Sequence, residues 1–344
     1  MPLTVLLALA ALSLPPGVDP LLPADAANRD PVEIQLAGLA ALYPGRVLHR
    51  EPQAAIQGNL GRLPKVVDLP RNVTYLRAYN LDDKTRKQIE DLLAKPTLTA
   101  LIIDFRYVFA DAPDSESLAE VLAKAGLAST PLNAIGDLQN SPVSLPEPAS
   151  DKPAGALVLA MVNGQTAGPL EAWLEAFQET ESVLLVGTPT AGQPGTYKVV
   201  EGHADFYLLK GELQPQAGPI TGTGLKPRFA VDVKPEQDYL AWSKVESGAD
   251  ISTMLRRDRV TVAAAMAPPP APAPAAGTAA PVAAASPPTA TSTTVEEAAD
   301  LALQRALDVV AAMQVLHPPP NAKAGAMGRP VNALPGSPGT TAPR

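Results

Sequence analysis

Three short apolar runs constrain this chain more than any other feature: Leu98-Thr99-Ala100-Leu101-Ile102-Ile103-Asp104-Phe105, Ala156 to Val162 and Ser182 to Val186. Each is too short for a helix of ordinary length and too uniformly apolar for a strand with one wet face, so each reads as a buried strand. Helical patterns lie between them. Asp83 to Leu93 places Ile89, Leu92 and Leu93 on one face, and Ser115 to Ala125 forms a second helix. In Pro169 to Phe177, Leu170, Trp173, Leu174 and Phe177 recur at helical spacing opposite Glu171, Glu175 and Glu179. With a strand over Val73 to Tyr79, the order becomes β-α-β-α, the signature of an α/β domain with a parallel sheet. A polar loop is expected over 130–154, a hairpin from Tyr197 to Val200 and Asp205 to Leu209, and a last strand from Arg228 to Val233.

The rest of the 344 residues organises around that domain. Of the 39 prolines, many fall in Ala/Pro tracts that cannot bury enough apolar surface to fold. Residues 1–26 read as a signal peptide: Leu3 to Leu14 is an apolar run too short to span a bilayer, and Ala24-Asp25-Ala26 is a small-x-small cleavage site, although no Lys or Arg precedes the run. Residues 27–70 read as an irregular arm, broken by Pro31, Pro44, Pro52, Pro64 and Pro70, with one helix near Val32 to Leu42. The folded domain is assigned to 71–262, an Ala/Pro linker to 263–294, a helix to 295–316 and a disordered tail to 317–344. That helix has apolar residues at 295, 299, 302, 306, 309, 313 and 316, and its seam is open to packing on the domain or docking a partner.

Composition excludes several classes of function. A formal net charge of −8 denies the chain the basic footprint of a nucleic-acid binder. The absence of cysteine removes disulfides, thiolate metal sites and thiol nucleophiles. His49, His203 and His317 show no metal-ligand spacing, and the glycines form no phosphate-binding motif, so neither cofactor nor metal is expected.

Four segments, in order over about 70–235, resemble those of the C-terminal processing (tail-specific) Ser/Lys peptidases. Leu101-Ile102-Ile103-Asp104-Phe105-Arg106 resembles an L-I-L-D-L-R strand end, and Gly168-Pro169-Leu170-Glu171 falls where the S-A-S-A-S-E nucleophile stretch is expected. Thr190-Ala191-Gly192-Gln193-Pro194-Gly195 resembles the T-F-G-K-G lysine stretch, and Ile220-Thr221-Gly222-Thr223-Gly224-Leu225-Lys226-Pro227 the I-x-G-x-G-I-x-P stretch. Asp300 to Leu307 is similar to the family's closing D-x-x-L-x-x-A-L helix. The resemblance implies a Clp/crotonase-like βα core without the usual PDZ module, acting on or binding peptide or protein segments.

On that alignment the serine position is Gly168 and the lysine position Gln193, separated by the expected 25 residues. A Ser/Lys mechanism needs a hydroxyl, a base and backbone oxyanion donors. Gly168 has no side chain, and the Gln193 amide is no base near neutral pH. Pro169 lacks the N–H that the residue after the nucleophile should offer, and Tyr107 to Pro113 lacks the glycines expected to supply the second donor. Glu171 matches the family's acidic residue and also suits a first helical turn. The expectation is an exported, catalytically inactive binder of peptides. The alternative is a hydrolase rewired through Thr166 and Lys198.

Overall fold

The computed structural model describes residues 30–49, 62–138, 155–246 and 299–316. The expected signal peptide, the linker over 263–294, the tail from 317 and His317 lie outside the described residues. In chain order the elements are α1 (Pro31–Leu42), β1 (Val47–His49), β2 (Lys65–Leu69), β3 (Val73–Arg77), α2 (Asp83–Leu93), β4 (Ala100–Asp104), α3 (Ala112–Lys124), β5 (Asn133–Gly136) and β6 (Leu157–Val162). There follow α4 (Leu170–Glu179), β7 (Val183–Gly187), β8 (Gly195–Val200), β9 (His203–Gln214), β10 (Phe229–Ala230), α5 (Pro235–Glu246) and α6 (Leu301–Leu316).

The main sheet has the order β10-β7-β6-β4-β3-β2, parallel throughout except for β2, which runs antiparallel to β3. From β3 to β10 each crossover steps to the same side. Crossovers of one hand therefore deposit α2, α3 and α4 on a single face of the sheet. The strand pleat divides the core accordingly. Leu101 and Ile103 of β4 pack with Leu92, Leu122 and Phe177 of those helices, whereas Ala100 and Ile102 point to the other face, where Val245 of α5 and Leu303, Ala306 and Val310 of α6 cover them. The result is an α/β three-layer core, and both its faces are dry.

Local chemistry sets the helix starts. Asp82 caps α2 by accepting from Thr85 N at 2.9 Å, Asp111 caps α3 by accepting from Asp114 N at 3.0 Å, and Asp30 caps α1 by accepting from Val32 N at 2.9 Å. In the second sheet β9 is the central strand. β8 pairs along one edge of it, while β1 and β5 follow one another along the other. Leu36 of α1 packs there with Val200 and Phe206.

Several expectations need correction. In residues 27–70, where they are described, the expected helix is present as α1, but the arm also supplies two strands that were not expected, β1 and the edge strand β2. β2 is bracketed by Pro64 and Pro70, which an edge strand tolerates because its outer N–H groups need no ladder partner. The expected loop over 130–154 contains β5, and the hairpin is longer than read, because β9 extends to Gln214. The last strand shortens to Phe229–Ala230. α5 had no counterpart in the sequence reading. The domain does not stop at 262, since α6 lies in the core.

Phe177 is fully buried between α4 and the sheet. Phe177→Ala is expected to lower stability by about 3–5 kcal/mol through lost burial and the cavity left behind, read as a shift of the urea midpoint. A shift below about 1 kcal/mol would contradict this packing.

Candidate functional site

The loops after β3, β4, β6 and β7 converge at the carboxyl edge of the parallel strands, where α/β sheets usually place their ligands. After β6 the chain turns at Asn163-Gly164-Gln165-Thr166. Asn163 N donates to Thr166 Oγ1 at 3.1 Å, and Thr166 Oγ1 donates to Phe105 O at 3.0 Å. The Thr166 hydroxyl is fully buried, with its proton committed to a carbonyl.

The next residues lie against the loop after β4. Ala167 N donates to Val108 O at 3.0 Å and Ala110 N to Ala167 O at 3.2 Å, a short parallel bridge. This leads the chain into Gly168 at φ +93°, a region that favours glycine. A Cβ added there would lie 2.0 Å from Ala110 O. The Gly168 N–H donates to Gln193 O at 3.0 Å, so the two positions that the resemblance pairs are in direct contact through their backbones. Pro169 then occupies the N-cap of α4 with no side-chain cap and no N–H of its own.

Glu171, in the first turn of α4, is fully buried and ties that helix to the loop after β7. Its Oε2 accepts from Gly192 N at 2.8 Å and from the Thr190 hydroxyl, and its Oε1 accepts from Gln193 N at 2.7 Å. Thr190 Oγ1 in turn accepts from Leu225 N at 2.8 Å, which fastens the Gly222–Leu225 stretch to the same point. Burial pushes the Glu171 carboxyl up to about 7, against the opposing pull of these hydrogen bonds. Its work is to hold loops together.

Gly168, Glu171 and Gln193 are thus gathered at one place. Lys198 is not part of it: it is exposed on β8 at the register position of Leu208, while Thr166 is sealed beneath the β4 loop. His49 is exposed and stacks on Phe206 at 4.6 Å, and no group of three metal-ligating side chains occurs among the described residues.

Beside this cluster lies an ionic centre that sequence reasoning missed. Arg106 is fully buried. It donates to Asp104 (Nε to Oδ1 2.9 Å, Nη2 to Oδ2 2.7 Å), to Asp238 of α5 (Nη1 to Oδ1 2.8 Å) and to Asp300 just before α6 (Nη1 to Oδ1 3.1 Å, Nη2 to Oδ2 2.8 Å). The Tyr75 hydroxyl donates to Asp104 Oδ2 at 2.6 Å, and Arg77 Nη1 reaches Trp242 O at 2.8 Å. Burial alone would raise the Asp104 carboxyl, yet Arg106 and Arg77 hold it below its ordinary value. Asn163 Nδ2 donates to Asp238 Oδ2 at 2.7 Å and so joins this centre to the turn before Gly168. Tyr107, at φ +65°, packs its ring on Trp242 at 5.0 Å. One signal was available: two charges ending a fully apolar strand require buried partners.

No family profile and no curated protein sequence matches the chain. Solved structures similar to it include a photosystem II D1 C-terminal processing protease, at 19% identity and TM-score 0.35 over 46% of this chain and 42% of that one. A lipoprotein from Streptococcus agalactiae is similar at 15% identity and TM-score 0.41, over 64% of this chain and 84% of that one. The tricorn protease is similar at 15% identity and TM-score 0.31, over 52% of this chain and 16% of that one. The chain therefore spans less than half the length of the first of these.

The Glu171 geometry generates a pH prediction. Its folded value, about 7, lies above the unfolded value of about 4.3, so the native state holds a proton that the unfolded chain releases. The associated stability is fully present below about pH 4.3, declines as pH rises, and is lost above about pH 7. The stability difference between wild type and Glu171→Gln, from urea unfolding between pH 4.5 and 8, should drift by roughly 3 kcal/mol in that sense. A difference that stays flat across the range would refute the assignment.

Proposed function

We propose that this chain is an exported tail-specific-peptidase-like protein that has given up hydrolysis and works by binding peptide or protein segments. The observation that carries the reading is the Ala110 carbonyl, which stands where a side chain at position 168 would have to go. A hydroxyl nucleophile there would need the backbone of the Tyr107–Ala110 loop to move first. Three further features support it. Pro169 offers no N–H to an oxyanion, the Ala110 N–H is already spent on Ala167 O, and Gln193 brings no base. The rewired alternative is weakened, because Thr166 is buried with its proton donated and Lys198 faces solvent on another sheet.

The test is to incubate the purified chain with unfolded casein and with peptides bearing free C-terminal carboxylates, following both products and complexes. Saturable binding without new termini by mass spectrometry is expected, as is no hydrolysis by the Gly168→Ser, Pro169→Ala, Gln193→Lys variant, which should instead be less stable by about 1–3 kcal/mol or more through strain at position 168. Cleavage by the wild-type chain would overturn the reading, and failure to bind any peptide would remove its second half.

Export has its own measurement. The mature protein, isolated from the extracytoplasmic fraction of cells expressing the full sequence, should begin at Ala27. An intact N-terminus retained in the cytoplasm would exclude it.

A further inference from the structure

Asn163-Gly164, in the turn after β6, is the one Asn-Gly pair in the chain. Such a pair carries its own reagent. The Gly164 amide nitrogen attacks the Asn163 side-chain carbonyl carbon: a C–N bond forms, the bond to Nδ2 breaks, and ammonia leaves behind a five-membered imide. Water then opens the imide at either carbonyl, leaving aspartate in a normal or a β-linked backbone. Glycine makes the attack easiest, because no β-carbon hinders its nitrogen or the rotation that brings it round. Nothing else in the fold calls for glycine at 164. It is exposed, its φ lies outside the left-handed region, and an added Cβ would meet nothing closer than Pro189 O at 3.7 Å.

The folded turn holds this reaction off. Asn163 is buried and pinned on every polar atom. Its N–H donates to Thr166 Oγ1 at 3.1 Å, and its C=O accepts from Thr166 N at 2.9 Å. Its side-chain Oδ1 accepts from Gln165 N at 3.0 Å and from Tyr107 N at 3.4 Å, and its Nδ2 donates to Asp238 Oδ2 at 2.7 Å. Closing the imide ring swings the carboxamide onto the Gly164 nitrogen, which means giving up the bond to Asp238. That carboxyl is itself fixed, because its other oxygen accepts from Arg106 Nη1 at 2.8 Å. Conversion to aspartate would leave two carboxylates facing each other where the 2.7 Å hydrogen bond now stands. The β-linked product would add a methylene to the main chain inside the same turn.

We infer that Asn163 is a latent modification site, an irreversible deamidation that the Asp238 contact suppresses in the folded chain. Once it occurs, it unfastens the turn before Gly168 from the Arg106 centre.

The experiment incubates the full chain at neutral pH and follows Asn163 by peptide-map mass spectrometry, which separates the normal and β-linked products. The decisive variant is Asp238→Asn. Its oxygen keeps the charged Arg106 donor, the stronger partner, so its amide group faces the amide of Asn163, donor against donor. In denaturing urea Asn163 should be the first asparagine converted, and Gly164→Ala should slow it roughly tenfold or more. In buffer the folded wild type should convert roughly a hundredfold or more slowly than in urea, and the Asp238→Asn chain, its fold checked by near-ultraviolet circular dichroism, roughly tenfold or more faster than the folded wild type. The Asn163→Asp chain, which carries the normal product, should unfold at a lower urea midpoint than wild type. Equal rates for folded and denatured wild type, a folded Asp238→Asn chain that converts at the wild-type rate, or an Asn163→Asp chain as stable as wild type would each overturn the inference. Should Asp238→Asn fail to fold, the Asn163→Asp comparison decides.

Discussion

The buried Arg106 guanidinium is the interaction on which the rest of this structure depends. It sits at the end of the central strand β4 and is bound by carboxylates from three separate elements: Asp104 of β4, Asp238 of α5 and Asp300 at the start of α6. A cation removed from water survives only if its donors are met, and removing one partner of such a group typically costs about 3–5 kcal/mol. The same centre aligns Asn163, which stands at the head of the turn leading to Gly168. The anchoring of α5 and of the start of α6, and the path of the loop after β6, therefore meet at one ionic centre.

Around Gly168 the organising force is different. Here backbone meets backbone: the loop after β4 bridges Ala167, Gly168 donates to Gln193, and Glu171 collects the N–H groups of the loop after β7. Three loops are held together here, and Glu171 has an elevated proton affinity as part of that bracing.

The sequence disclosed those parts whose chemistry is local. α2 matches its expected span because Asp82 caps it and Ile89 and Leu92 recur on its inner face. The strands β4, β6 and β7 were legible as apolar runs, and it was the family resemblance that paired Gly168 with Gln193, whose backbones are in contact. What stayed hidden is non-local. β5 is a strand only because β9 lies alongside, and β2 looked like part of a proline-broken arm. α5 mixes exposed Tyr239 and Leu240 with buried Ala241, Trp242 and Val245, which blurs its period. The obstruction at position 168 comes from a main-chain carbonyl, which no side-chain pattern reports. Beyond neighbouring Asp104, the partners of Arg106 lie 132 and 194 residues downstream, beyond any window a motif can span.

That last separation has a consequence in time. A ribosome adds about 5–20 residues per second, so Asp300 is made some 10 to 40 s after Arg106. By the end of that interval the described strands and the helices α2–α5 have been made, but the sheet face opposite α2–α4 still lacks α6 and Arg106 its last carboxylate partner. α6 is the last of the described elements to be made. A product that stops before residue 300 keeps α5 but lacks Leu303, Ala306 and Val310, so the strand positions those residues cover are left exposed.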